Sequence, residues 1–146
     1  MMKNIWIIGL CLAVVGCGAH RDLTEYSLDE KSFDSKAMAK LQTESGIALP
    51  DGSKGLAFKH IPPIDPIVFA KLLIPGDAQG ALTKQIEALK TIEFPNDFAH
   101  NRCSWWPPPP EHIALSKRST SNGYYVELHL VKKNEQLILY IQYFTT

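Results

Sequence analysis

Three residues able to ligate metals or to activate one another lie close together in the chain: His100, Cys103 and His112. Imidazole and thiolate are zinc ligands, and two or three of them with a water make a catalytic type of site. Their spacing matches no established zinc pattern, and no fourth ligand accompanies them. Cys103 beside either histidine would also form a thiolate–imidazole pair, the deprotonated thiol being the reactive form. No local sequence typical of catalytic cysteines surrounds it, and no Gly-x-Ser-x-Gly offers a serine instead. Asp51, Asp65, Asp97 and Glu111 fall near loops, where paired carboxylates would do acid–base work, yet nothing in their spacing makes two converge. Gly52-Ser53-Lys54-Gly55 lacks the strand–loop–helix setting of a phosphate-binding loop. The expectation is a non-enzymatic protein with no catalytic residue, metal or cofactor. The binding feature that stands out is Trp105-Trp106 ahead of Pro107-Pro108-Pro109-Pro110. Two amphipathic rings on a stiff segment make a rigid contact surface at low entropic cost, so Trp105 and Trp106 are the candidate partner surface. The other use of such rings is to plug the edge of a core.

Composition bounds the class. The 146 residues include 15 basic and 15 acidic ones, a net charge of zero. No cationic excess is available to neutralise phosphates, which excludes nucleic-acid binding by bulk charge. With 45% hydrophobic and 21% charged residues, the chain is neither collagen-like, coiled-coil nor disordered, and its length suits one domain.

The first residues carry an address. Met1-Met2-Lys3-Asn4 is a short positive start, and the apolar run from Ile5 to Val15 is 11 residues long. A helix needs about 20 apolar residues to cross a bilayer, so this run fits the apolar region of a secretory signal. It closes in Val14-Val15-Gly16-Cys17, and polar Arg21-Asp22 follows shortly after. This stretch resembles the lipobox of bacterial lipoprotein precursors. The resemblance implies a diacylglyceryl thioether on Cys17, cleavage between Gly16 and Cys17, and often acylation of the freed amine. Gly18 stands where an Asp would retain many such proteins at the inner membrane, which implies the outer membrane, facing the periplasm. Each buried methylene contributes about 0.8 kcal/mol and a single chain anchors only reversibly, whereas several hold permanently. An ordinary signal peptide cut after Ala19 and a buried apolar helix are the competing readings. With Cys11 lost in the signal and Cys17 lipidated, Cys103 is left alone and no internal disulfide is possible. The mature segment, with Gly46-Ile47-x-Leu49-Pro50 and Trp105-Trp106-x-Pro108, is similar to small bacterial envelope proteins that carry no assigned active residues.

The elements that must position these residues follow from patterning. Residues 1–16 form the signal, 17–31 a lipidated tether and 32–146 one domain. A first helix is expected from Phe33 to Glu44, capped by Ser32 or Asp34 and ended by Gly46. Gly55–His60 reads as a strand, interrupted by Ile61-Pro62-Pro63-Ile64-Asp65-Pro66. Ile67–Ile74 reads as the next strand and Ala78–Thr91 as a helix with Leu82, Ile86 and Leu89 on one face. Tyr124–Lys132 and Gln136–Phe144 form a hairpin about a turn at Lys133-Asn134. That turn pairs Leu130 with Leu137, Leu128 with Leu139, Val126 with Ile141 and Tyr124 with Tyr143 on an apolar face. His129 falls on the opposite, exposed face, His60 at a strand end, His20 in the tether, and Lys117-Arg118 in a solvated loop. The fold class is α+β, with about four antiparallel strands in two hairpins and one or two packing helices.

These readings combine into a membrane-anchored envelope lipoprotein with a binding or structural role, its partner an envelope protein or polymer. One version is an immunity-type lipoprotein that neutralises a periplasmic toxin. The alternative is a small metal- or thiol-dependent hydrolase centred on His100, Cys103 and His112.

Overall fold

The structure is a computed structural model that describes residues 24–62, 64–93 and 100–145. The expected cleavage and lipidation residues, Gly16 and Cys17, lie outside the described residues, as do His20 and Asp97. The described chain runs β1 (Tyr26–Asp29), α1 (Ser35–Ser45), β2 (Lys54–Ile61), β3 (Ile67–Ile74), α2 (Gln79–Ala88), β4 (Ile113–Ser121), β5 (Tyr124–Lys133) and β6 (Gln136–Thr145). All six strands join one sheet in the order β1-β2-β3-β6-β5-β4, every neighbour antiparallel. The fold is α+β, with six strands where about four were expected.

Both additional strands lie where the sequence is polar. β1 falls within the stretch assigned to the tether and pairs Tyr26 with His60 and Leu28 with Phe58. β4 takes in Lys117 and Arg118, which are strand residues of the sheet edge rather than a solvated loop. Edge strands need apolar residues on one face only, so their hydrophobic signal is weak. Asn122-Gly123 joins β4 to β5 with φ of 51° and 79°, the left-handed pair that a tight hairpin turn requires.

The predicted hairpin exists, but its turn is Asn134-Glu135, with φ of 49° and 63°. Leu130 therefore pairs with Leu139, Leu128 with Ile141, Val126 with Tyr143 and Tyr124 with Thr145. The offset from the expected pairing is two residues. Side chains alternate with a period of two, so such a slip keeps every residue on its own face and patterning cannot detect it. Backbone geometry decides instead, because a two-residue turn that follows the strand twist needs positive φ at both positions.

α1 starts two residues later than expected, at Ser35, and ends one residue later, at Ser45. The Asp34 side chain caps it by accepting from the Ala37 N–H at 2.9 Å, and Gly46 ends it in the left-handed conformation. Gly46 is fixed twice over, since a Cβ there would also lie 1.9 Å from Ser121 Oγ. α2 is shorter than expected. Its chain leaves at Leu89 in extended form, and the Ile92 N–H donates to the Arg118 carbonyl on the outer side of β4 at 3.1 Å.

Both faces of the sheet are covered. On one, Leu41 of α1 and Leu82 and Ile86 of α2 pack on Val68, Ala70 and Leu72 of β3, Val126, Leu128 and Leu130 of β5, and Leu139, Ile141 and Tyr143 of β6. On the other, Cys103, Trp105 and Trp106 pack over Phe69, Ile138, Tyr140 and Phe144. This second layer explains why β3 and β6 read as nearly continuous apolar runs, interrupted by Lys71 and Gln142, the pattern of strands buried on both sides.

Candidate functional site

Antiparallel pairing between β4 and β5 places Ser116 opposite His129 and Arg118 opposite Glu127. Residues two apart share a face, so these four side chains gather in one patch on the tryptophan-covered side. Ser116 Oγ lies 2.9 Å from His129 Nδ1. Arg118 Nε donates to Glu127 Oε1 at 3.0 Å, a charge-assisted cross-strand pair. His129 Nε2 stands 3.3 Å from the same oxygen, off hydrogen-bond alignment and without another partner. The Trp106 ring covers the patch, its centroid 5.1 Å from that of His129 and 5.6 Å from that of Phe69.

The patch is polar and buried at once. Glu127, His129 and Gln142, the last paired with Glu127 across β5 and β6, are 3%, 6% and 2% exposed. His129 is therefore not an exposed sheet residue, and His60 is buried as well. Burial alone would push the Glu127 carboxyl up. The His129 contact and the Arg118 guanidinium outweigh it and hold that carboxyl below its ordinary range. Two buried polar atoms here have no hydrogen-bond partner, Trp106 Nε1 and Gln142 Oε1, and His129 Nε2 has only its misaligned contact with Glu127. Each such atom costs about 1–3 kcal/mol, and clusters of them mark places where something other than folding is served.

A groove of about 460 Å³ opens beside the patch at the β4 edge. Glu127 and His129 of β5, Ser116, Lys117 and Arg118 of β4, and Thr91 and Ile92 after α2 line it. The segment after α2 is held there through its bond to β4, while Lys117 Nζ reaches the Glu87 carbonyl at 3.3 Å. The chemistry on offer is a carboxylate held ionised, a guanidinium that is partly exposed, an imidazole with a spare nitrogen and a hydroxyl. Such a set binds polar groups that both donate and accept.

The residues singled out from sequence lie elsewhere or play other parts. Trp106 is 3% exposed and roofs the patch, its indole packed on Phe69 and His129. Trp105 is half-buried, at 6.3 Å and 6.4 Å from the rings of Phe69 and Tyr140, and keeps part of its surface in solvent. Cys103 is buried among Ile61, Phe69 and Trp106, and burial pushes its thiol up, away from the thiolate. His112 closes the turn Pro110–His112 and is half-buried. Among the described residues no group of three or more His, Cys, Asp or Glu side chains is gathered as a metal would require. Asp51, Asp65 and Glu111 are exposed, and Asp65 accepts from Thr145 Oγ1 at 3.2 Å.

Sequence reasoning missed the Ser116, Arg118, Glu127 and His129 patch. The available signals were the Asn122-Gly123 turn, which implies a strand on each side, and the double apolar face of β6, which implies a second covering layer. Together they would have placed the polar residues of β5 under a lid. Comparison with protein-family models, with curated proteins and with solved structures gave no match.

Proposed function

We propose that the chain is an envelope lipoprotein whose domain binds a polar partner, an envelope protein or polymer, at the β4-edge groove. The anchor rests on Val14-Val15-Gly16-Cys17 behind a positive start and a short apolar run. Among the described residues no helix is long and apolar enough to cross a membrane. The observation that carries the binding role is the pair of buried, unpartnered polar atoms of Trp106 and Gln142, with the misaligned His129 Nε2, beside a groove that the Glu127 carboxylate lines. An interior shaped only for stability would replace them with apolar groups at little cost. Anchoring adds to this role, since a tethered binder meets its partner at a raised effective concentration.

The test has two arms. Intact mass and detergent-phase partition of the protein from bacterial membranes should show acylation at Cys17, lost in Cys17→Ser with release from the membrane. A photo-reactive residue at Lys117 should then crosslink one envelope component, and the crosslink should vanish in Glu127→Leu. Unchanged processing and retention of Cys17→Ser overturn the anchor, and a crosslink indifferent to Glu127 overturns the groove.

One contact favours a second reading. The order Ser116, His129, Glu127 has the composition of a serine–imidazole–carboxylate relay, with the hydroxyl at 2.9 Å from the ring. It ranks lower because Arg118, not His129, makes the aligned bond to the carboxylate. A fluorophosphonate probe that labels the wild type and spares Ser116→Ala would raise it above the binding reading.

A further inference from the structure

Among the described residues, Ile64 is the large hydrophobic side chain left in solvent, 87% exposed. It stands in Pro62-Pro63-Ile64-Asp65-Pro66, the loop from β2 to β3. Prolines fix φ and stiffen a segment, and Thr145 Oγ1 ties Asp65 to the end of β6 at 3.2 Å. An isoleucine held out on a stiff, tied loop is not placed there by its own burial.

The sheet register shows what lies beside it. Ile61 pairs with Ile67, Ile67 with Phe144, and Tyr124 with Thr145, so this loop and the starts of β3 and β5 share one end of the sheet. β1 enters at the same end, with Tyr26 opposite His60. Continued outward by two residues, that register sets Thr24 level with Pro62. Thr24 follows Cys17 by seven steps along the chain, and seven steps span at most about 25 Å when fully extended. A lipid on Cys17 therefore keeps the Ile64 end of the domain within that reach of a bilayer. Half-buried Tyr26 and Tyr124 occupy the same end, and tyrosine suits the boundary between headgroups and water.

From this juxtaposition we infer that the Ile64 loop is a membrane-contact point, seating its side chain in the lipid surface to which Cys17 is anchored. The inference rests on the anchor reading of Cys17 and adds an orientation to it. The charges at this end specify the lipid. Among the described residues here, Asp65 is exposed, Lys59 is engaged by Glu25 at 3.0 Å and Lys40 by Glu44. With these lysines paired, contact is with neutral headgroups and is insensitive to salt. The groove at β4 is set back from this end along the strands, since Glu127 and His129 follow Tyr124 on β5 by three and five residues, about 10 Å and 17 Å.

The experiment uses the full lipidated chain, purified from membranes and reconstituted into phosphatidylcholine vesicles. A polarity-sensitive dye is placed at Ile64→Cys or at Lys133→Cys, in a Cys103→Ala background. Lys133 lies at the far end of β5, about 30 Å away along the strand. Flotation of the vesicles and intact mass first report the anchor. With the protein floating, blue-shifted emission and quenching by brominated lipid at position 64, several-fold above position 133 and unchanged by salt, support the inference. Equal, water-like emission at the two positions in floating protein overturns it alone. Failure to float, with no acyl mass on Cys17, overturns the anchor and the orientation with it. Circular dichroism matching the wild type confirms that each labelled variant is folded, and both substituted positions are exposed.

Discussion

Trp106 lies face-to-tilt over His129, ring centroids 5.1 Å apart, and closes the one imidazole of β5 beneath the covering layer of the sheet. The indole contributes area without using its N–H, which has no partner. Trp106→Ala should cost about 3–5 kcal/mol, as for other large core truncations. Trp106→Phe keeps a ring, loses an unpartnered donor, and should cost far less. Urea midpoints of the two variants check this, and equal losses would mean that the N–H carries the site.

Glu127 makes stability depend on pH in a fixed direction. Its folded value lies below its unfolded value, owing to His129 and Arg118 acting against burial. The stabilisation is therefore present above the ordinary carboxylate range and is lost as pH falls through the folded value. Unfolding of the wild type and Glu127→Gln, followed from pH 7 to pH 3 (about the range of a carboxylate titration), should converge at the acid end. At neutral pH the variant should be weaker by about 1–2 kcal/mol, less than for a fully enclosed pair, because the Arg118 side chain is 36% exposed and solvent screens it.

Cys103 should be chemically silent in the native protein. It is 3% exposed and burial pushes its thiol up. Alkylation at neutral pH should proceed only through unfolding, and its rate should track denaturant concentration. Rapid native labelling would place Cys103 in an open, activated setting.

Tyr143 donates to Glu44 Oε2 at 2.6 Å, tying α1 to the central strand β6. The phenol is raised far from its ordinary value by burial, reinforced by the Glu44 carboxylate. Tyr143→Phe should cost about 1.5–3 kcal/mol, the net value of one hydrogen bond to a charged group. Lys40, which also contacts Glu44, limits the loss by keeping the carboxylate paired. Thermal unfolding with Glu44→Gln as the partner variant gives the coupling.

Glu135 occupies a left-handed position, φ 63°, in the turn between β5 and β6. Glu135→Gly should raise the melting temperature, since L side chains pay about 1 kcal/mol in that conformation. An unchanged or lower value would mean that the Glu135 side chain supports the turn.

Legibility from sequence followed the strength of local physics. β3 was placed to its last residue, Gly46 was recognised as the end of α1, and Asp34 stood as one of two candidate caps beside Ser32, because apolar runs and caps are local signals. The last hairpin was placed by face but not by register, since a shift of two leaves its alternation intact. β1 and β4 were unreadable as strands because edge positions tolerate polar residues such as Lys117 and Arg118. The polar patch was hidden for a related reason. Glu127 and His129 look solvent-facing on β5 alone, and only the layer around Trp106, distant in sequence, buries them.

The seam between β3 and β6 joins residues 67–74 to residues 137–144. Assembly must therefore close a very long loop before its middle is complete, which makes for slow, late-committing folding. Until β6 arrives, Ile67–Ile74 presents a naked, sticky border to any neighbour. A nascent copy would need to be chaperoned until its final strand has docked, and trimming a few residues from that strand should yield aggregates in place of a shortened native form.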